Sequence, residues 1–386
     1  MLSLQGIAVR LRFARRDAIH GVRNRWTMRM EITHLDKIEL LGLTGEELER
    51  FVTGDLGESK FRAAQIGQWL ARGADIDGMT NLSAALRARL SEIAVANPVR
   101  IMECYKSKLD ETEKFLYALP DGNLIEGVLM RYHHGDTLCV STQVGCRMGC
   151  AFCASTLEGR VRNLTPGEIL GQVAAANRHI QASDPERRVH NIVLMGSGEP
   201  LDNYDNVVKF LRLVNDPKGM NISLRNISLS TCGLVRRMYD FAKEGLPVTL
   251  SLSLHAPNDE IRRKIMPVAH AYPMGDVLAA CRRYIEVTGR RVIFEYALIK
   301  NLNSDVRHAE ELARRLRGMR CHVNLIPLND VKERKLEAPD RRTVDAFLKR
   351  LELKHISATV RREMGADIEG ACGQLRRKVL DGQDKA

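Results

Sequence analysis

The stretch Gly145-Cys-Arg-Met-Gly-Cys-Ala-Phe-Cys153 decides how this chain is interpreted, because it brings three cysteines together in the pattern C-x3-C-x2-C. A [4Fe–4S] cluster is normally held by four cysteine thiolates. Cys146, Cys150 and Cys153 supply three, so a cluster held here has one iron with an open coordination position. The triplet therefore predicts a metal centre at which a further ligand can bind and react.

A zinc site is the alternative interpretation of the triplet, with His133 or His134 as the fourth ligand. Zinc sites usually combine two short C-x2-C or C-x2-H pairs, and only one of the two gaps here has that length. The spacing favours the iron–sulfur interpretation and leaves zinc as the weaker one.

The composition of the 386 residues limits the class of protein: 44% are hydrophobic, 28% are charged, and the formal net charge is +11. We find no apolar run near the roughly 18 residues that span a bilayer, so no membrane role is indicated. The positive charge favours a polyanionic partner, with nucleic acid the leading candidate. Nine cysteines without a disulfide framework indicate a reducing compartment, and the cytoplasm fits best.

Four regions follow along the chain. Residues 1–30 form a basic arm with seven arginines and one acid, which is either a genuine segment or an artefact of the start site. Residues 31–100 are expected to form a helical N-terminal domain, in which Thr44-Gly-Glu-Glu47 is a capping box. Residues 101–135 are expected to form a linking β segment with a turn at Pro120-Asp-Gly122. Residues 136–386 form the core.

Strand-like and helix-like segments alternate in the core, which predicts an α/β fold with a parallel sheet. Thr165-Pro-Gly-Glu168 marks the start of one of the intervening helices. The six predicted strands are 137–143, 191–195, 226–230, 248–254, 292–298 and 322–326.

Polar residues follow the ends of these predicted strands. In α/β folds, ligands bind at the carboxyl ends of parallel strands, so these residues are candidates for a binding site. They are the cysteine triplet, Gly198, Glu199, Ser230, Thr231, Ser253, His255 and Asn329.

At the triplet the sequence resembles the radical S-adenosylmethionine (SAM) superfamily, whose cluster motif is C-x3-C-x-aromatic-C, with Phe152 as the aromatic residue. The resemblance implies a partial (β/α)6 barrel, one [4Fe–4S] cluster and SAM bound at its open iron. In this superfamily a glycine-glutamate motif holds the SAM amino group, and Met195-Gly-Ser-Gly-Glu-Pro200 is similar to it. The implied SAM-binding residues are Gly198, Glu199, Ser230, Ser253, Leu254, His255 and Asn329. Taken singly, His255 and Asn329 could equally be loop-end residues that cap a helix.

Four further motifs resemble the RlmN/Cfr family of RNA adenine methyltransferases, over roughly residues 40–380. They are Cys139-Val-Ser-Thr-Gln-Val-Gly-Cys146, Ser253-Leu-His-Ala-Pro-Asn-Asp259, Asn324-Leu-Ile-Pro327 and the segment 365–375. The segments 149–156 and 360–365 are more similar to the RlmN branch. The resemblance implies methylation of carbon 2 of an adenine in 23S ribosomal RNA, and of the adenine next to the anticodon in some transfer RNAs.

The same resemblance assigns Cys372, Cys139 and Glu126 as catalytic residues. A thiolate at Cys372 takes a methyl group from one SAM, and a second SAM supplies the deoxyadenosyl radical that activates this group for addition to the ring. Glu126 takes the ring proton, and Cys139 forms a disulfide with Cys372 that frees the product. Without the motifs, Cys139 and Cys372 would be interpreted as core cysteines, as Cys104, Cys232, Cys281 and Cys321 are.

Basic residues near the C-terminus fit an RNA substrate, although a solvated face would have the same composition. They are Lys332, Arg334, Lys335, Arg341, Arg342, Arg361, Arg362, Arg376, Arg377 and Lys378. Two other functions stay open: Cfr-type methylation of carbon 8 of the same adenine, and a noncatalytic RNA-binding factor with a structural metal. The family also implies a monomer that receives electrons from a low-potential donor such as flavodoxin.

Overall fold

The computed structural model describes residues 37–328, 336–362 and 364–368 of the chain. Within these residues a helical N-terminal unit precedes a ten-stranded mixed sheet with helices between its parallel strands. No helix in the described part of the chain is long and apolar enough to cross a membrane.

The N-terminal unit contains α1 (Gly45–Arg50), α2 (Lys60–Ala71) and α3 (Ala84–Ile93), closed by a parallel pair of short strands, β1 (Ile38–Glu39) and β2 (Ala94–Val95). The predicted capping box is present: the Thr44 hydroxyl accepts from the Glu47 amide at 3.3 Å, and the Glu47 carboxylate accepts from the Thr44 amide at 2.8 Å. Apolar side chains of the unit belong to the same hydrophobic cluster as the sheet, so the unit packs directly on the core.

Three antiparallel strands form one side of the large sheet: β3 (Arg100–Lys106), β4 (Glu113–Ala118) and β5 (Leu124–Tyr132). The predicted turn at Pro120-Asp-Gly122 joins β4 to β5, and Gly122 adopts a φ of +82°, which a residue with a Cβ atom rarely adopts. The hairpin continues into the parallel part of the sheet through the pairing of β5 with the next strand.

Seven parallel strands form the rest of the sheet: β6 (Gly135–Cys139), β9 (Val189–Leu194), β10 (Ile227–Thr231), β11 (Thr249–Ser253), β12 (Val292–Leu298), β13 (Cys321–Pro327) and β14 (Ala358–Val360). All six predicted strands are present, but the first ends at Cys139 rather than Gln143. Gln143 instead begins β7 (Gln143–Gly145), which pairs with β8 (Arg160–Asn163) outside the large sheet. The three-residue β14 was not predicted, because it is too short to show a periodic pattern.

The helices that connect the parallel strands are α4 (Pro166–Gln181), α5 (Tyr204–Asn215), α6 (Val235–Lys243), α7 (Asp259–Ile265), α8 (Met274–Thr288), α9 (Val306–Leu316) and α10 (Arg341–Leu353). The predicted start of α4 is confirmed: Thr165 and Glu168 form a capping box, with Pro166 at the first helical position. Arg162 of β8 binds both carboxylate oxygens of Glu168 at 2.7 Å, which joins the helix start to the β7–β8 pair.

Side chains alternate between the two faces of the parallel strands. Leu229, Leu250 and Leu252 are fully buried in the main hydrophobic cluster. On the other face, Ser228 and Ser251 lie on neighbouring strands with their hydroxyl oxygens 2.9 Å apart. The sheet therefore has one apolar face and one polar face, as expected when only one face packs on helices.

The strand order leaves β3 and β14 at the two edges, so within the described residues the sheet is open. The predicted fold class, an α/β partial (β/α)6 barrel with a small helical N-terminal domain, is confirmed. Its parallel part contains one strand more than predicted.

Candidate active site

The cysteine loop follows β7 and is fixed by backbone hydrogen bonds. The Cys146 amide donates to the Gly159 carbonyl at 2.9 Å, and the Ala151 amide donates to the Ile265 carbonyl of α7 at 2.8 Å. Gly145 adopts a φ of +73°, and a Cβ atom there would collide with the Gly159 carbonyl oxygen. The loop is therefore held between β8 and α7, and glycine is required at its start.

The three thiols of this loop lie close enough to affect one another. Burial, together with the negative charge of Cys153, raises the pKa of Cys146 to about 12. Burial also raises the pKa of Cys150, with contributions from both other cysteines. Three neighbouring thiols disfavour each other's ionisation unless a cation neutralises them. This donor set suits a thiophilic metal centre.

His133 and His134, the zinc ligands of the alternative interpretation, lie elsewhere. Both are exposed at the turn before β6, where their rings contact each other. The cysteine loop comes after the carboxyl end of β6, so the strand separates the histidines from the thiols. The structure therefore argues against a zinc site completed by these residues.

Gly198 and Glu199 follow β9 and lie beside Gln143. A Cβ atom at Gly198 would be 2.7 Å from the Gln143 backbone nitrogen, and the φ of Gly198 is +110°, so no other residue fits easily. The buried Glu199 carboxylate accepts from the backbone amides of Cys232 at 2.7 Å and Leu201 at 3.0 Å. Burial raises the pKa of Glu199 despite these bonds. The chain thus fixes a carboxylate that can bind a cationic group.

His255 contacts the aromatic residue of the cysteine motif. Its ring meets Phe152 edge to face with centroids 4.6 Å apart. Nδ1 accepts from the Ala297 amide at 2.9 Å, so in the neutral ring Nε2 carries the proton. Burial, followed by the charge of Arg262, lowers the pKa of His255 to about 3. His255 is therefore a neutral residue whose Nε2–H is available as a donor.

The other predicted SAM-binding residues surround these groups. Ser230, the last residue but one of β10, and Ser253, the last residue of β11, have their hydroxyl oxygens 3.4 Å apart. The amide of the buried Leu254 donates to the Glu295 carbonyl. Asn329 lies outside the described residues. Asn303, which the sequence analysis missed, donates to the His255 carbonyl at 2.8 Å and to the Ala297 carbonyl at 2.7 Å. Since His255 has a φ of +54°, Asn303 stabilises an otherwise unfavourable backbone conformation.

Glu126 lies on β5 and forms a buried ion pair with Lys114 of β4. The Lys114 Nζ atom is 3.0 Å from the Glu126 carboxylate, and the two side chains are only 0% and 4% exposed. The Glu126 carbonyl accepts from the Ser141 hydroxyl at 2.8 Å. Lys114 was not predicted as a site residue, because a single lysine in a strand is usually exposed.

Cys139 ends β6 and is buried in a small apolar cluster with Val128 and Met130 of β5. Met364, from the segment that precedes Cys372, packs against this cluster. Cys372 itself lies outside the described residues. The described cysteines form no disulfide with one another, so the structure gives no support to the predicted disulfide.

The segment that leads to Cys372 is anchored on the turn between β3 and β4. The Asp367 carboxylate accepts from the Ser107 hydroxyl at 2.6 Å and from the Lys108 amide at 2.7 Å. The Gly365 amide donates to Asp110 at 3.0 Å. The described residues 364–368 therefore lie against the antiparallel side of the sheet, to which Glu126 of β5 belongs.

Strand registers place four predicted site residues on the polar face of the sheet. Cys139 is paired with Val128 of β5 and with Val193 of β9, and the pairing continues to Ser228 of β10. Paired residues project to the same face, as do residues two positions apart. The residues on this face are Glu126, Cys139, Ser230 and Ser253.

The residues present fit an iron–sulfur cluster. The donor set consists of three cysteines, and the Nη1 atom of the buried Arg262 has no hydrogen-bond partner among the described residues. The Nη2 atom of Arg262 donates to the Cys232 carbonyl, and Cys232 packs in the same apolar cluster as Cys150. An anionic centre bound at the loop would lie near this unsatisfied cation.

Comparison of this chain with known protein families and solved structures identifies its class. The radical SAM superfamily matches residues 140–313, and the ribosomal RNA large subunit methyltransferase N-terminal domain matches residues 38–96. A crystal structure of a radical SAM methyltransferase from Sphaerobacter thermophilus is 44% identical, with a TM-score of 0.84. The matched region covers 87% of this chain and 98% of the Sphaerobacter thermophilus chain. The fold and the cysteine loop therefore define a radical SAM enzyme.

Two curated relatives narrow this class. A protein of Lachnospira eligens is 50% identical over 353 residues, covering 90% of this chain and 98% of its own length. A protein of Alkaliphilus oremlandii is 51% identical over 347 residues, which cover 90% of this chain and 99% of that protein's length. Both are described as probable dual-specificity RNA methyltransferases RlmN. The chain belongs to the RlmN family of radical SAM RNA methyltransferases, which confirms the predicted family and enzyme class.

Proposed function

We propose that this protein methylates carbon 2 of an adenine in 23S ribosomal RNA at the peptidyl transferase centre, and of the adenine next to the anticodon in transfer RNA. Its relatives are described as dual-specificity RNA methyltransferases, which supports two RNA substrates. The observation that carries the proposal is the shared polar face, where the candidate proton acceptor Glu126 and the candidate thiol Cys139 lie with two of the candidate SAM-binding serines.

Cys146, Cys150 and Cys153 would hold one [4Fe–4S] cluster, and SAM would occupy its open position. Such a centre supplies, on reduction, the carbon-centred radical that the methylation of an electron-poor ring carbon requires. Glu199 would accept hydrogen bonds from the SAM ammonium group, in addition to those from Cys232 and Leu201. Ser230, Ser253, Leu254, His255 and Asn329 would contact the rest of SAM.

The methyl group would travel on the protein. The Cys372 thiolate would displace it from SAM, forming an S-methyl group and releasing S-adenosylhomocysteine. The S-methyl group would lose a hydrogen atom to the radical, its carbon would bond to the ring carbon, and the Glu126 carboxylate would take the proton from that ring carbon. The Cys139 thiolate would then attack the sulfur of Cys372, breaking its bond to the methylene carbon and forming a disulfide. The unpaired electron would return to the metal centre, and a proton would convert the released methylene into the methyl group of the product. A reductant must return both cysteines to thiols before the next turnover.

The ion pair with Lys114 holds the Glu126 carboxylate in place as the proposed proton acceptor. The Lys114 ammonium group lies 3.0 Å from the buried Glu126 carboxylate, so it compensates the charge of the carboxylate and orients its oxygen atoms. The pair lies on two strands of a hairpin, so backbone hydrogen bonds fix the position of the carboxylate before RNA binds.

RNA would reach the polar face along basic surfaces. Arg341 and Arg342 at the start of α10, and Arg361 and Arg362 after β14, are exposed. The other predicted basic positions, Lys332, Arg334, Lys335, Arg376, Arg377 and Lys378, lie outside the described residues. Arginine and lysine side chains neutralise phosphates without reading sequence, so they would hold the RNA while the target base enters the site. We further propose that the protein acts as a cytoplasmic monomer that receives electrons from a flavodoxin-like donor.

Nucleoside mass spectrometry tests this function. The protein, reconstituted with iron and sulfide under anaerobic conditions, is incubated with SAM, a reductant and either a 23S ribosomal RNA fragment or transfer RNA. We expect 2-methyladenosine from both RNAs. If 8-methyladenosine appears instead, the enzyme is of the Cfr type. If SAM is not cleaved although iron is bound, the noncatalytic RNA-binding function is correct.

A Cys372→Ala variant tests the path of the methyl group. We expect it to bind iron normally, to carry no S-methyl group and to methylate no RNA. If methylation continued in this variant, the proposed mechanism would be wrong while the substrate assignment could stand.

A further inference from the structure

Arg262 is a fully buried cation without a described counter-anion. It lies on α7 and has no solvent-exposed surface. Its Nη2 atom donates to the carbonyls of Cys232 at 2.6 Å and Ser253 at 3.3 Å, and Nε donates to the Leu254 carbonyl at 3.3 Å. Nη1 has no partner, and Arg262 takes part in no ion pair among the described residues.

This arrangement is costly for the protein alone. A guanidinium group stays charged at any ordinary pH, and its five N–H donors need acceptors when it is buried. Backbone carbonyls satisfy part of that need, but burying an ion without a counter-charge costs several kcal/mol, in the approximate range known for such groups. Burial lowers the pKa of Arg262, in the direction expected for a cation without a paired carboxylate. Asp259, on the same helix, accepts from the Met274 amide at 2.7 Å, and its charge offsets only part of the lowering of the Arg262 pKa.

The surroundings of Arg262 indicate where the counter-charge belongs. Its helix is bonded to the cysteine loop, because the Ile265 carbonyl accepts from the Ala151 amide. Ile265 also packs in one apolar cluster with Cys150 and Cys232. Arg262 binds the Cys232 carbonyl, and the Cys232 amide binds Glu199. These contacts link the guanidinium to the cysteine loop and to Glu199, which are proposed to hold the cluster and SAM.

We propose that Arg262 is the positioning residue that supplies the counter-charge of the anionic centre held by Cys146, Cys150 and Cys153, and thereby raises the reduction potential of that centre. This inference rests on the proposed function. Net charge, hydrogen bonds and burial set the potentials of iron–sulfur clusters. A fixed cation favours the reduced form, since reduction adds one negative charge to a site from which water is excluded.

An anaerobic redox titration followed by electron paramagnetic resonance tests the role of Arg262. We compare the reconstituted wild-type protein with Arg262→Met, which removes the charge and keeps much of the length, and with Arg262→Lys, which keeps the charge. We expect the midpoint potential of Arg262→Met to shift to a more negative value, while that of Arg262→Lys stays closer to the wild type. An unchanged midpoint in an Arg262→Met protein with full iron content would overturn the inference.

Thermal unfolding with and without the cluster separates this role from a structural one. Without the cluster, we expect Arg262→Met to be at least as stable as the wild type, because an uncompensated buried charge has been removed. With the cluster, the wild type should gain more in melting temperature than Arg262→Met gains. If the cluster-free variant is strongly destabilised and both proteins gain equally, Arg262 serves only the packing of α7.

The outcomes also distinguish this inference from the proposed function. A wild-type protein that takes up no iron would contradict both. A protein with a cluster and methylation activity, whose midpoint potential does not depend on the charge at position 262, would contradict the role of Arg262 alone.

Discussion

The Lys114–Glu126 pair and the surroundings of Arg262 both bury charge, and they differ in how the chain compensates it. Lys114 and Glu126 neutralise each other at 3.0 Å on adjacent strands of a hairpin. Among the described residues, Arg262 donates only to backbone carbonyls, and burial raises the pKa values of the nearby cysteine thiols. In the first region the chain supplies both charges, whereas in the second no described acidic side chain forms an ion pair with Arg262. Substitutions should therefore affect stability most in the first region and ligand binding most in the second.

Removal of a cysteine from the loop should have the largest effect on activity. We expect Cys150→Ala to lose bound iron and all detectable methylation, well beyond the roughly 10–100-fold loss typical of residues that only support a metal ligand. Iron content and nucleoside mass spectrometry measure the two effects. Cys281→Ala is the matched control, since Cys281 is a fully buried cysteine on α8. It should keep iron and activity and lose only about 1 kcal/mol of stability.

Breaking the Lys114–Glu126 ion pair should have the largest effect on stability. We expect Lys114→Met to lower the free energy of unfolding by about 3–5 kcal/mol, because it leaves the Glu126 carboxylate buried without its cation. Urea denaturation measures this change. The double variant Lys114→Met/Glu126→Leu should recover most of the loss, since no charge then remains. If the single and double variants were equally unstable, packing rather than charge would explain the effect.

Replacing Glu199 should weaken SAM binding with less effect on the fold. We expect Glu199→Gln to bind SAM about 10–100-fold more weakly, corresponding to roughly 1.5–3 kcal/mol for a hydrogen bond to a charged group. Burial raises the pKa of Glu199, so wild-type affinity should fall as the pH decreases through that raised value and the carboxylate is protonated. Equilibrium binding to the reconstituted protein measures both effects. Glu286→Gln, on the exposed side of α8, should leave the affinity unchanged.

Glu39 should produce the smallest effect, a pH dependence of stability at the contact between the N-terminal unit and α4. Burial raises its pKa from 4.5 to about 7, although its carboxylate accepts from the Thr165 hydroxyl. The folded protein therefore binds more protons than the unfolded chain, and the stabilisation present below pH 4.5 is lost as the pH rises through 7.

Urea denaturation across this pH range tests the effect. The wild type should lose about 1–2 kcal/mol relative to Glu39→Gln, allowing for solvent near a partly buried carboxyl. Glu92→Gln, an exposed substitution on α3, should show no such difference. A difference between wild type and Glu39→Gln that does not vary with pH would contradict the assignment.

Local signals in the sequence identified much of the fold. The capping boxes at Thr44 and Thr165 were predicted because their two hydrogen bonds involve residues only three positions apart. The six long parallel strands were predicted from apolar segments bounded by polar residues. β14 was missed, since its three residues form a strand only because β13 pairs with them. The end of β6 was placed four residues too late for the same reason, because the chain leaves the sheet there to pair with β8.

The sequence by itself determined the cysteine triplet, the glycine-glutamate turn and the motifs that identify the family, because each is a short pattern of residues with a fixed spacing. Only the tertiary structure decided that Lys114 neutralises Glu126 and that Arg262, near the cysteine loop, forms no ion pair with a described residue. The compensation of a buried charge depends on residues from separate strands and helices, and their distances are set by packing rather than by position in the chain.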